Sequence, residues 1–300
     1  VIDRGTFLVR NGVIVEVGEG IEIPKDAVRI PLAGKTIYPS FIDVFTNYGQ
    51  PEAKKVPKER APNMESNKKG AFYWNEAIHP EVDAAKQFIV NEKKAKQWRN
   101  LGFGSVLSVY DNGISSGASA LVSVGNGREN EVILASKVAS HYSFYKGSST
   151  QDYPSSLMGS IALLRQAYLD AEWYGTKGDH KEINLSLDAW NQMKGLPSIF
   201  DAGDKLTVLR SDKVGDEFGV QYIILSGGDG YQRIQEMKAT NAQFILPINF
   251  PDAYDVEDPW DARKVSLAKM KHWEMAPSNP GVFEKNKIDF AITSSGNEDK

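Results

Sequence analysis

The stretch Leu32-Ala33-Gly34-Lys35-Thr36-Ile37-Tyr38-Pro39-Ser40-Phe41-Ile42-Asp43-Val44 separates two kinds of pattern in this chain. Before it, residues 1–35 read as a small β unit. Thr6 to Val17 is β-rich around Asn11-Gly12, and both residues of that pair accept the positive φ of a type I′ hairpin turn. A further β run, Val28 to Leu32, follows Pro24. Inside the stretch, Thr36 to Val44 reads as a buried strand.

Beyond it, helical patterns alternate with short apolar runs. Lys93 to Leu101 is a helix stopped by Gly102, and Phe103 to Tyr110 follows as a strand. Leu157, Ile161, Leu164, Tyr168 and Ala171 keep helical spacing behind the capping serines Ser155 and Ser156, up to Gly175. Leu206 to Phe218 ends at Gly219 and leads into the strand Val220 to Leu225. The helix Tyr231 to Thr240, the strand Phe244 to Ile248, the helix Lys264 to Met275 and the strand Ile288 to Thr293 complete the series. Such alternation predicts parallel βα units. The expected fold class is α/β, a (β/α)8 TIM-type barrel over residues 36–300. No closing helix follows the last strand before Lys300, so the barrel is expected to be incomplete at its C-terminus. The longest loop is Glu52 to Gly70.

Composition narrows the functional classes. A net charge of −4 argues against a general nucleic-acid or membrane-surface binder, since both need a basic excess. No apolar run approaches the roughly 20 residues of a membrane span. Nothing at the N-terminus reads as a signal peptide, and the chain opens at Val1 without Met, which fits a trimmed and exported (periplasmic) protein as well as any other soluble one. With no cysteine, disulfides, thiol nucleophiles and thiolate metal sites are excluded. There are only four histidines, His79, His141, His180 and His272, and none falls at an assigned strand end.

The opening stretch resembles the first barrel strand of the amidohydrolase superfamily, above all its imidazolonepropionase-like C–N hydrolases. In that family a small N-terminal β unit, part of a composite β-sandwich, precedes the same phrase. Weaker similarities follow in the family's order: Gly113-Ile114-Ser115-Ser116-Gly117, Leu164-Arg165-Gln166-Ala167-Tyr168, Pro197 to Ala202, and Asp289-Phe290-Ala291-Ile292-Thr293-Ser294-Ser295-Gly296. The resemblance implies one or two divalent metals, zinc or another, at the mouth formed by the strands' C-terminal ends, where bound water is activated. It also implies the ligand positions, and here this sequence departs. The family's His-x-His stands as Phe45-Thr46-Asn47, its next histidine aligns with Asp201, the one after is lacking near Ser226, and its aspartate stands as Ser295. A phenyl ring cannot ligate a metal and an amide oxygen is a poor zinc donor.

Phe45, Asn47, Asp201, Ser226 and Ser295 are therefore expected to line a vestigial pocket, with no catalytic residue, no metal ligand and no cofactor of this chain's own. The expected role is a non-catalytic module whose partner is the remainder of its own polypeptide or a second amidohydrolase module. The alternative is an active amidohydrolase with an atypical site that uses Asp201. A further alternative is a serine hydrolase, because Gly113-Ile114-Ser115-Ser116-Gly117 fits the G-x-S-x-G elbow with Ser115 as nucleophile. Asp43 reads as structural, and a strand-end Asp201 could equally cap the next helix. Gly227-Gly228-Asp229-Gly230 could cradle phosphate, and Asp252, Asp255, Glu257, Asp258 and Asp261 could take calcium, though a tight turn and a solvated loop explain them as well. Lys54, Lys55, Lys58 and Arg60 could attract an anion, and the six tryptophans read as core and lid packing.

Overall fold

The computed structural model describes residues 2–53, 65–66, 68–176 and 182–297. Lys54, Lys55, Lys58, Arg60 and His180 lie outside the described residues, as does much of the Glu52 to Gly70 loop. The chain divides into two compact units, Val1–Pro39 and Ser40–Lys300.

In the first unit, β1 (Thr6–Arg10) and β2 (Val13–Gly18) pair antiparallel. Asn11 and Gly12 join them with φ of 51° and 76°, both in the left-handed region that the turn requires. The Val28 to Leu32 run forms no strand, and Val28 and Ile30 are exposed. A β-prone run becomes a strand only where a neighbour completes its ladder.

The second unit opens with β3 (Phe41–Thr46). The strand starts later than the apolar run suggests, because Pro39 has no N–H to give a ladder. There follow α1 (Ala84–Gln87), α2 (Glu92–Asn100), β4 (Phe103–Ser108), β5 (Ser115–Ala118), β6 (Ala120–Ser123), α3 (Glu129–Val132), β7 (Ile133–Ala135) and β8 (Ser140–Ser143). Then come α4 (Leu157–Thr176), α5 (Leu185–Met193), β9 (Ser198–Asp201), α6 (Lys205–Phe218), β10 (Tyr222–Leu225), α7 (Ile234–Ala239) and β11 (Gln243–Pro247). The unit ends with α8 (Pro259–Lys264), α9 (Leu267–Met275), α10 (Asn279–Lys285) and β12 (Phe290–Thr293).

The fold is mixed α/β with several sheets. Six strands lie in the order β12-β11-β10-β9-β8-β5, and four in the order β3-β4-β6-β7. From β8 to β12 every pairing is parallel, as the alternation of strands and helices predicts. The expectation of parallel strands throughout needs correction: β5 runs antiparallel to β8, and β6 to both β4 and β7. The reason is chain length. A parallel connection needs a crossover of about a dozen residues, usually helical. This holds for β6: only residues 109–119, with no helix, separate β4 from β6, and only residues 124–132 separate β6 from β7.

The Lys264 to Met275 helix is also corrected. It breaks after Lys264, and Ser266 caps a new helix by accepting the Lys269 N–H at 3.3 Å. Trp98 and Trp190 are buried, but Trp173, Trp260 and Trp273 are exposed.

The strands from β8 to β10 bury both faces, which fits a parallel sheet between two apolar layers. Phe200 and Ile224 join Leu164, Tyr168, Trp190 and Tyr222 in one core, where the Tyr168 and Tyr222 hydroxyls are 2.5 Å apart. Their neighbours Ile199 and Leu225 join a separate cluster with Phe45, Leu107, Val109, Ala139 and Ile245. That second cluster draws on both larger sheets. Asp43 ties their ends: its fully buried carboxylate accepts the Thr293 hydroxyl at 2.7 Å, the Ser294 N–H at 2.8 Å and the Phe45 N–H at 3.0 Å. Its structural reading is the one these bonds support.

Candidate functional site

The positions singled out in the sequence lie where β3, β9, β10 and β12 end. Phe45 and Asp201 share one strand-end region, since Ile199, two residues before Asp201 on β9, packs in the cluster that holds Phe45. Phe45 is buried, and its ring centroid stands 5.8 Å from that of His141. Asn47, by contrast, is exposed and uses its carbonyl to hold the Gln50 N–H at 3.0 Å. Ser226 is buried with no partner for its hydroxyl, and its N–H reaches the Ile245 carbonyl at 3.1 Å. Ser295 is half-buried and its N–H is held by Thr293 at 3.2 Å.

His141 was not expected here. It lies on β8 beside Ile199 of β9, and both ring nitrogens are buried without a partner. Burial alone pushes its pKa down to about 3, so the ring is neutral. The second surprise is a pair of carboxylates. Leu107 and Val109 pack in the Phe45 cluster, and Asp111 follows two residues on, past the end of β4. Desolvation by the surrounding chain raises the Asp111 pKa, although its surface is exposed. Asp201 is raised to about 7, first by desolvation and then by the Asp111 charge, against a bond from the Gly203 N–H. Two neighbouring carboxylates resist simultaneous ionisation, so this pair can hold a proton near neutral pH.

Asp201 does not cap the following helix. Asp204 does, accepting the Leu206 N–H at 2.8 Å and the Thr207 N–H at 3.2 Å. The phosphate reading of Gly227 to Gly230 meets a carboxylate: Asp229 already binds the Lys205 N–H and ammonium, each at 2.9 Å. The acidic loop is likewise engaged locally. Asp258 caps α8 through the Trp260 N–H at 2.7 Å, and Asp261 pairs with Lys264 at 2.8 Å. The serine-elbow expectation is corrected as well. A nucleophile elbow needs a strand, a sharp turn and then a helix. Ser115 instead lies within β5, is fully buried, and its hydroxyl has no hydrogen-bond partner. His79 packs against Gly113, not against that hydroxyl as a base: a Cβ at Gly113 would stand 2.4 Å from His79 Nε2. Burial also lowers the His79 pKa to about 4.

The donor set does not fit the metal that the resemblance implies. At the aligned positions stand one phenyl ring, one exposed amide, two hydroxyls and a single carboxylate. Among the described residues no group of three or more His, Asp or Glu gathers as a metal would require.

No known family's sequence profile matches the chain, and no curated protein matches it. Its structure is similar to that of an amidohydrolase from Thermotoga maritima MSB8, with a TM-score of 0.67 and 19% identity over 97% of this chain and 74% of that one. At that identity the likeness is one of fold. The chain has an amidohydrolase-like fold.

Proposed function

We propose that β3, β4 and β8 to β12 close around the Phe45 cluster as an amidohydrolase-like barrel, and that this barrel is a non-catalytic module. The observation that carries the reading is Phe45. At the position where the resemblance puts a metal-binding imidazole, an apolar ring packs with Leu107, Val109, Ile199, Leu225 and Ile245. A site of that kind favours neither a cation nor an activated water. The partner in this reading is the remainder of the polypeptide or a second amidohydrolase module that supplies the metal chemistry. Exposed Phe7, Val9, Val13, Val15 and Val17 on the β1–β2 hairpin support a partner, because a two-stranded hairpin is marginal on its own.

The experiment is restoration. Phe45→His, Asn47→His, Asp201→His and Ser295→Asp together supply three imidazoles and a carboxylate, and His141 already stands beside Phe45. Three or four converging donors hold zinc. Calorimetric zinc titration of the folded quadruple variant is expected to give at least a hundredfold gain in affinity over the wild type. Equal and negligible binding would refute the assignment of these positions.

One observation favours a second reading, an acid–base site without the family's ligands: the Asp111–Asp201 pair with a carboxyl at about 7. It predicts hydrolysis of a C–N bond with a pH profile set near 7 and lost in Asp201→Asn.

A further inference from the structure

Three Asn-Gly pairs stand in this chain: Asn11-Gly12, Asn112-Gly113 and Asn126-Gly127. Such a pair can modify itself. The glycine nitrogen attacks the asparagine Cγ, and with no Cβ on the glycine nothing screens the approach. The reaction needs a free carboxamide and a backbone that can turn to close the ring. The fold sets these two conditions differently at each pair.

Asn112 is locked. It is buried, its carboxamide donates to the Tyr110 hydroxyl at 3.1 Å and to the Ser148 hydroxyl at 3.0 Å, and its Oδ1 accepts the Ser148 N–H at 2.7 Å. Asn11 is exposed, but the turn between β1 and β2 holds it at a left-handed φ of 51°, with Arg10 paired to Val13 directly behind it. Closing the ring would take Asn11 out of that conformation and break the hairpin's last pair. Asn126 meets both conditions. It is exposed in a bend between β6 and α3, has a glycine on either side, and does not have a positive φ. Among the described residues no hydrogen bond holds its carboxamide, and none engages the Gly127 N–H. A Cβ on Gly127 would stand 3.1 Å from both Glu131 Oε2 and Val132 Cγ1, so the site is tight for any residue but glycine.

We propose that Asn126 is a self-modification site, converting to isoaspartate and aspartate in the folded chain. As the Gly127 nitrogen bonds to Cγ, the Cγ–Nδ2 bond breaks, and Nδ2 leaves as ammonia with the proton that the Gly127 nitrogen gives up. Water then opens the cyclic imide at either carbonyl. An amide and a water become a carboxylic acid and ammonia, with no oxidant or reductant. The new carboxylate joins Glu129 and Glu131, which already hold the Val90 N–H at 3.1 Å and the Arg128 N–H at 2.9 Å. The proposal stands whether or not the barrel is catalytic.

The test incubates the full chain at pH 8 and follows each pair by peptide-mapping mass spectrometry, which reads the exchange of NH2 for OH. Asn126 is expected to convert at least tenfold faster than Asn11 and Asn112. In urea, where no fold restrains the pairs, the three rates should draw level. Asn126→Gln would need a larger ring, and should lose the change at this position while keeping the wild-type melting temperature. No conversion of Asn126 in the folded chain, conversion of Asn11 or Asn112 at an equal rate, or a preference for Asn126 that persists in urea would each overturn the proposal.

Discussion

Asp43 shows how one side chain can hold two sheets together. Its carboxylate takes three donors at no more than 3.0 Å, from β3 itself and from the end of β12. Removing it leaves the Phe45 and Ser294 N–H groups without their acceptor, at about 1–3 kcal/mol for each unsatisfied group, while the Thr293 hydroxyl keeps the Phe45 carbonyl at 3.0 Å. Asp43→Ala should therefore lose about 3–5 kcal/mol in urea unfolding, and Asp43→Asn less, since an amide oxygen keeps part of the acceptor set. His141 and Asp201 act oppositely with pH. The His141 pKa is depressed to about 3, so its neutral form is stable above the ordinary value near 6.5 and the fold weakens as pH falls below it. His141→Leu should remove that acid sensitivity and raise stability at pH 5. The Asp201 pKa is raised to about 7, so the fold binds a proton that the unfolded chain releases near pH 4. Stability thus falls as pH rises from 4 to 7. Asp201→Asn should flatten the fall and gain on the order of 2 kcal/mol at pH 8, a figure reduced from the full shift because the group is partly solvated. Equal slopes for wild type and variant in denaturation between pH 4 and 8 would contradict the proton-sharing pair.

At the scale of elements, the loops after β9 and β10 meet so closely that a Cβ on Gly227 would fall 1.5 Å from the Gly203 carbonyl oxygen. Gly227→Ala should unfold or lower the melting temperature by more than 10 °C, as a close backbone clash forces the loops apart. Gly228→Ala meets open space and carries only the left-handed strain of about 1 kcal/mol, so its change in thermal melting should be much smaller. What was legible in the sequence divides along similar lines. Asn11-Gly12 announced its hairpin, and Gly219, with a φ of 67°, ends α6 where the pattern places it. Both are local signals that residue type alone determines. Strands β5 and β8 left no such trace. Ser115, Ser116, Ser140 and Ser143 are buried polar residues, so neither alternation nor an apolar run marks these strands. Missing β8 hid His141, whose ring centroid stands 5.8 Å from that of Phe45. The Asp111–Asp201 pair joins residues 90 positions apart in the chain, which no local pattern reports.

For the molecule as a whole, the resemblance carried by residues 32–44 and by the weaker stretches after them is met by a fold likeness spanning 97% of the chain. Fold does not fix function, because chemistry lives in the groups placed on it. In this chain the fold carries an apolar ring and hydroxyls at positions that the resemblance assigns to imidazole and carboxylate. The central claim is that these substitutions leave no resident metal. The direct measurement is elemental analysis of wild-type protein prepared without chelator and dialysed against metal-free buffer. The account predicts far less than one equivalent of zinc, manganese or iron per chain. A stoichiometric metal that survives dialysis and is lost in Asp201→Ala would contradict it.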